Sequence, residues 1–236
     1  MTTTIYVVTE GATERIVGKV LHERGILSGK AQPRPPQWRG MSGREGFNQV
    51  MQSLTNELLP TLCASGKQER LLLVVDQDDA ATPQDRANLI NQALSLQLQP
   101  YNPQQYDNLF MHDDPSLRVM LHVSNATIPG ITRKDFDGYL LMLLQGQNKP
   151  NLVQHLAKVQ AVSNTLLYKA EQAIPQLMQQ NGFPWTHAKS WLYAYITVFH
   201  YRQSHVWFAE EIVQHADAQD LRHVFSSLIA AWEALI

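Results

Sequence analysis

The sequence predicts an α/β fold: a central, mostly parallel sheet carrying helices on its faces, with a further helical layer formed by the C-terminal part of the chain. Three observations lead there. Two short apolar runs, "TTIYVVT" near the N-terminus and "RLLLVVD" at 70–76, have the β-branched, bulky character of buried strands. The segments after each run repeat their apolar residues at helical spacing, and strands alternating with helices argue for a parallel sheet. Beyond Lys134 the spacing is helical for the rest of the chain.

Taken in order, the first strand is followed from Ala12 to His22 by a helix with Ile16, Val17, Val20 and Leu21 on one face and Gly25 at the position of a C-cap glycine. Residues 28–46 are rich in proline, glycine and basic side chains, and read as a long loop around one weak strand. Phe47, Val50, Met51, Leu54, Leu58 and Leu59 mark a second amphipathic helix, after which "RLLLVVD" is the clearest strand. A helix from about Gln84 to Leu98 follows, anchored by Leu89, Ile90, Ala93, Leu94 and Leu96. "DNLFMH" and "LRVMLHV" flank "DDPS", the pattern of two strands joined by a turn. Helices are then expected near 134–145, 150–160, 162–180, 186–203 and 217–235. The division is an α/β domain over 1–146 and a helical region over 147–236 packed on it.

Composition narrows the function. A chain of 236 residues with 44% apolar content can bury a sizeable core. No stretch reaches the roughly 20 apolar residues of a membrane span, and the N-terminus lacks the pattern of a signal peptide, so the expected location is the cytoplasm. The single cysteine excludes an internal disulfide, and Cys63 is expected to be a small core residue. The nine histidines contain no H-x-x-x-H pair, which argues against a zinc site. Neither a G-x-S-x-G elbow nor a phosphate-binding G-x-x-x-x-G-K-[ST] loop is present. A net charge of -2 gives no global attraction to nucleic acid, so local bases must supply it; Lys30, Arg34, Arg39 and Arg44 make the first loop the best candidate. The late aromatics, from Trp185 to Phe208, are expected to lie mainly in the core.

Chemistry gathers at the strand ends. In an open α/β sheet, functional groups collect at the carboxyl ends of the strands. The first strand ends in Glu10 and the strongest later one in Asp76. If these strands are neighbours, the two ends lie about 5 Å apart. Carboxylates so close, in a half-desolvated crevice, repel one another unless a cation lies between them. In "DQDD" an extended backbone puts Asp76 and Asp78 on one side and Gln77 on the other, so both can share a hard cation such as magnesium. Glu14 follows Glu10 by one helical turn, about 6 Å along the axis, and Gly11 allows the tight turn between them.

These residues resemble the Toprim domain family, whose pattern is a glutamate after the first strand and an Asp-x-Asp after a later one. "TEGATE" is similar to the EG-x-[TS]-E opening of the OLD (overcoming lysogenization defect) type and of small stand-alone Toprim nucleases. "TRKDFDGYLL" resembles an acid-bearing element at the start of a late helix in that group, with Asp135 and Asp137 as candidates and Asp137 favoured. "HAKSWLYAYI" resembles its lysine-bearing helix through Lys189, and "RGMSGREGF" stands where relatives carry a glycine-rich segment, with Arg39, Ser42 and Arg44 placed to touch nucleic acid.

The resemblance implies a Toprim-like three-layer fold. It also implies two Mg2+ or Mn2+ ions held by Glu10, Glu14, Asp76, Asp78 and Asp137, with Glu10 also able to relay a proton and Lys189 offsetting phosphate charge. The implied activity is metal-dependent cleavage of nucleic acid, DNA in preference to RNA, by an effector subunit in bacterial defence against phage or foreign DNA. A separate ATPase partner and a homo-oligomer are compatible with it; a membrane is not expected. The rival reading is a catalytically weak Toprim scaffold that binds a partner protein or nucleotide and cuts nothing.

Overall fold

The computed structural model describes residues 4–28, 36–39, 46–146, 149–157, 163–183, 185–200 and 202–236. The strands are β1 (Ile5–Thr9), β2 (Gln37–Arg39), β3 (Glu69–Asp76), β4 (Gln99–Pro100), β5 (Leu109–Asp113) and β6 (Leu117–Ser124). Among the described residues they form a six-stranded sheet in the order β2-β1-β3-β6-β5-β4. β1 pairs in parallel with β2 and β3, and β3 with β6, while β5 runs antiparallel to both β6 and β4. The register sets Thr9 beside Val74 and Asp76 beside Ser124, so β1, β3 and β6 finish at one edge of the sheet.

The fold is α/β with three layers, and strand alternation shows why. On β3, Leu71, Leu73 and Val75 face one core, which also takes residues from α2 (Phe47–Ser53), α3 (Leu59–Cys63) and α4 (Pro83–Leu94). Leu72 and Val74 face the other core, shared with α1 (Ala12–Glu23), α5 (Asp137–Gln145), α6 (Lys149–Ala157), α9 (Ala188–Phe199), α10 (His205–His215), α11 (Ala218–Val224) and α12 (Ser226–Glu233). Phe208, Ile212, Leu228 and Trp232 thus lie in one apolar cluster with Ile5, Val17 and Leu72. Each such side chain, fully buried, contributes about 1.5–3 kcal/mol, so the C-terminal helices are tied to the sheet by its own core.

Local chemistry explains several boundaries. Between α2 and α3 a π-helical turn, Leu54–Leu58, precedes Pro60. A second, Lys169–Ala173, separates α7 (Ser163–Tyr168) from α8 (Ile174–Gln180) and precedes Pro175. Proline lacks an N–H and crowds the preceding turn, so the helix widens there rather than breaking. α4 starts on a capping box, Thr82 accepting from the Asp85 N–H at 3.1 Å and Asp85 accepting from the Thr82 N–H at 3.1 Å.

Four expectations need correction. α4 ends at Leu94 because Ser95 turns left-handed (φ 55°), leaving Leu96 beyond the helix, and Leu89 is 47% exposed instead of anchoring it. Cys63, at the end of α3, is exposed and not a core residue. The segment 217–235 forms two helices meeting at Phe225. α10 is an additional helix, started by Ser204 Oγ accepting from the Trp207 N–H at 3.1 Å and packed on α1 through the stripe Phe208, Ala209, Ile212 and Val213. No described helix is long and apolar enough to cross a membrane.

Candidate functional site

Neighbouring strands β1 and β3 each release an acid at their carboxyl ends. The Glu10 N–H extends the ladder to the Val74 carbonyl at 3.1 Å, and Glu10 Oε2 turns back to accept from the Asp76 N–H at 3.1 Å. Glu14 sits in the first turn of α1 and folds over Gly11, where a Cβ would stand 2.7 Å from Glu14 Oε2. Gly11 itself is extended (φ -132°, ψ 177°), a backbone any residue adopts, so it makes no special turn, and a side chain there would have to displace the Glu14 carboxylate. Asp76 Oδ1 accepts from the Phe136 N–H at 2.8 Å, which draws the start of α5, and with it Asp137, over the strand ends.

Glu10, Glu14, Asp76, Asp137 and Lys189 line one cavity of about 220 Å³, together with Gly11, Ala12, Thr13, Gly46 and Phe136. The electrostatics are those of crowded, desolvated acids. Burial pushes Glu14 up to about 8, reinforced by the charges of Asp137 and Glu10 and opposed by Lys189. Burial likewise raises Asp76 well above the usual carboxylate range, with Glu14, Glu10 and Asp135 adding to it. Glu10 is raised by burial against the pull of Arg86, and Asp135 is pushed up to about 7 by burial and then by Asp137. Asp135 itself accepts from the Gly138 N–H at 3.2 Å in the first turn of α5 and is not among the residues lining the cavity.

Asp78 departs from its expected place. Its φ of 53° breaks the extended backbone that would put it on the same side as Asp76, and short polar side chains tolerate that left-handed turn. Its Oδ1 accepts from Arg133 Nε at 3.0 Å and from a terminal nitrogen at 2.6 Å, while Oδ2 lies 3.3 Å from Arg86. Asp78 is therefore balanced by two guanidinium groups and is not among the lining residues. Arg39 closes β2 opposite Val8 on the edge of the sheet. Ser42 and Arg44, like Lys30 and Arg34, lie outside the described residues.

Two groups at the site do not stand out in the sequence. Arg86 on α4, buried beneath the Phe47 ring at 3.8 Å, reaches Glu10 Oε2 at 3.1 Å. His205, the first residue of α10, holds Nε2 3.1 Å from Asp137 Oδ1, and its Nδ1 is 3.2 Å from Thr13 Oγ1. The His205–Asp137 contact has the separation of an ion pair but not the alignment of a hydrogen bond, and both atoms are otherwise unpartnered. A signal for His205 exists: "SHVWFAEEIV" has a serine cap ahead of apolar pairs at helical spacing. Arg86 offers none, because an arginine on a helix face reads as solvated.

In comparisons with known proteins, no protein-family model matches the chain, and neither a curated protein nor a solved structure matches it.

Proposed function

We propose that this cavity takes divalent cations, Mg2+ or Mn2+, and that the chain is a metal-dependent hydrolase of nucleic-acid phosphodiesters with a Toprim-type site. The observation that carries the reading is the convergence of Glu10, Glu14, Asp76 and Asp137 on one small cavity, two of them forced well up by burial and by neighbouring carboxylates. Such a set needs protons or a cation, and an all-oxygen donor set suits a hard cation. Asp137 Oδ1, buried without a well-aligned donor, fits the same need.

Glu10, Glu14, Asp76 and Asp137 would hold the ions; the Toprim resemblance implies two. When bound, they supply charge neutralisation and Lewis acidity toward a phosphate oxygen. Lys189 adds a positive charge at the cavity wall for the developing charge on the phosphate. Glu10, held by Arg86 and the Asp76 N–H, is placed to take a proton from an attacking water. Asp78 serves by clamping the turn after β3 to Arg133 and Arg86. His205 and Thr13 steady Asp137 as outer-shell partners steady a ligand. The resemblance supports DNA in preference to RNA, a cytoplasmic role in defence against phage or foreign DNA, and a separate ATPase partner.

One observation favours the rival scaffold: Arg86 already stands 3.1 Å from Glu10 and supplies part of the charge balance a cation would bring. Purified protein separates the two readings. With Mg2+ or Mn2+ it should nick plasmid DNA or degrade RNA, and Glu14→Gln and Asp76→Asn should abolish this with the fold intact. Cation binding by calorimetry without cleavage of any nucleic acid would leave the scaffold.

A further inference from the structure

The charged and ring-bearing side chains far from the acidic cavity include one arrangement that the proposed hydrolase does not use. His155 on α6 and His215 in the last turn of α10 bring their rings face to face, with centroids 3.5 Å apart and planes 30° from parallel. Glu211, one turn before His215 on the same face of α10, has Oε2 3.7 Å from His215 Nε2. One ligand atom from each of the three lies within 4.8 Å of the other two. The sequence hides this set, because its histidines are 60 positions apart and only a Glu-x-x-x-His pair is local.

We infer that His155, Glu211 and His215 form a second metal site, specific for a first-row transition dication such as Zn2+ and separate from the acidic cavity. The donor chemistry makes the distinction. Two imidazoles and one carboxylate suit zinc, copper, nickel or iron, whereas Mg2+ prefers oxygen donors and its own waters. Two imidazole rings this close bring nitrogen lone pairs that one cation can share. The carboxyl end of α10 adds the negative end of its dipole, which favours a cation there. His215 also lines a hollow of about 150 Å³ with Asp217 and Asp220, which raises the local density of negative charge. Ligation at about 2.0–2.1 Å per nitrogen draws both rings onto one point and pins α6 to α10. His205 and His215 are the two ends of α10, about 15 Å apart at 1.5 Å per residue, so this clamp fixes the far end of the helix that holds Asp137.

The test uses the full chain in saturating Mg2+, which leaves the acidic cavity to its own ion. Wild type should bind one more Zn2+ per chain than the double variant H155A/H215A by equilibrium dialysis. Co2+ should give visible d–d bands in wild type that the double variant lacks. At about 100 times Kd, Zn2+ should raise the Tm of wild type by roughly 5–10 °C and that of the double variant far less. E14Q should keep the whole response, since its change lies at the other site. Equal Zn2+ stoichiometry and equal Tm shifts in wild type and double variant would overturn the assignment. Should the double variant fail to fold, imidazole nitrogen NMR of wild type decides: shifts at His155 and His215 on adding Zn2+ support it, and unchanged rings refute it.

Discussion

Glu10, Glu14, Asp76 and Asp137 share a cavity with Phe136; Asn108, His122, Tyr139 and Ser227 form a separate buried polar cluster that Phe136 also touches. The Phe136 N–H binds Asp76, and its ring meets Tyr139 edge-on at 5.6 Å. On the Tyr139 side the groups are neutral and, His122 Nδ1 apart, serve one another: His122 Nε2 lies 3.0 Å from Ser227 Oγ, and Asn108 donates to Ser227 Oγ at 3.3 Å and to the Val123 carbonyl at 2.9 Å. Burial holds the His122 imidazole down to about 3, so it stays uncharged, and pushes Tyr139 up to about 12. On the Asp76 side the groups are acids crowded together in a desolvated cavity, and Asp137 Oδ1 lacks an aligned donor. Burial alone therefore does not mark a functional site. Buried neutral polarity that pairs mostly within itself is structural, while buried acids crowded against one another mark a place for something from outside.

The largest effect that would sharpen this contrast is on turnover. Asp76→Asn or Glu14→Gln should lower kcat on the order of 10²–10³-fold, whereas His122→Gln should leave it within a fewfold; comparable losses from both sides would break the distinction. Stability against pH should come next, with opposite signs. Between 4.5 and about 8 the folded chain keeps a proton on Glu14 that the unfolded chain has released, so metal-free stability should fall as pH rises through that window. Between 6.5 and about 3 the unfolded chain gains a proton on His122 that the folded chain refuses, so stability should fall as pH drops. Each limb is worth on the order of a few kcal/mol, at about 1.4 kcal/mol per pKa unit. Denaturation followed across pH should show E14Q or added Mg2+ reducing the upper limb alone, and H122Q reducing the lower. A smaller change is expected from His205→Ala: Mg2+ affinity weaker by about 10–100-fold by calorimetry, with the fold retained. Smallest should be Tyr139→Phe, about 1 kcal/mol of stability with Mg2+ affinity unmoved.

How far the sequence discloses all this depends on the range of the forces involved. β1 and β3 are legible because runs such as "LLLVV" have few other solutions, and Glu10, Glu14 and Asp76 because strand ends and one helical turn fix their neighbourhood locally. No local pattern ties residue 137 or 189 to β1, so the sequence nominates Asp137 and Lys189 only through the family resemblance. Asp78 is misplaced by alternation because its conformation is set by Arg133, 55 positions away. Arg86 is invisible for the same reason, and His205 half so: the serine cap before it signals α10 locally, but its meeting with Asp137 depends on a partner distant in the chain. Cys63 shows the reverse error, where a residue type's usual burial yields to its place at an exposed helix end.

The Thr13–His205 contact joins residues 192 positions apart. On a ribosome, Asp137 is made roughly 70 residues before His205, an interval of several seconds at about 5–20 residues per second. Through that interval the acids are already present while α10, the helix that steadies Asp137, is not. The nascent chain therefore carries an incomplete site, and newly made molecules should acquire their full competence only once α10 has docked on α1.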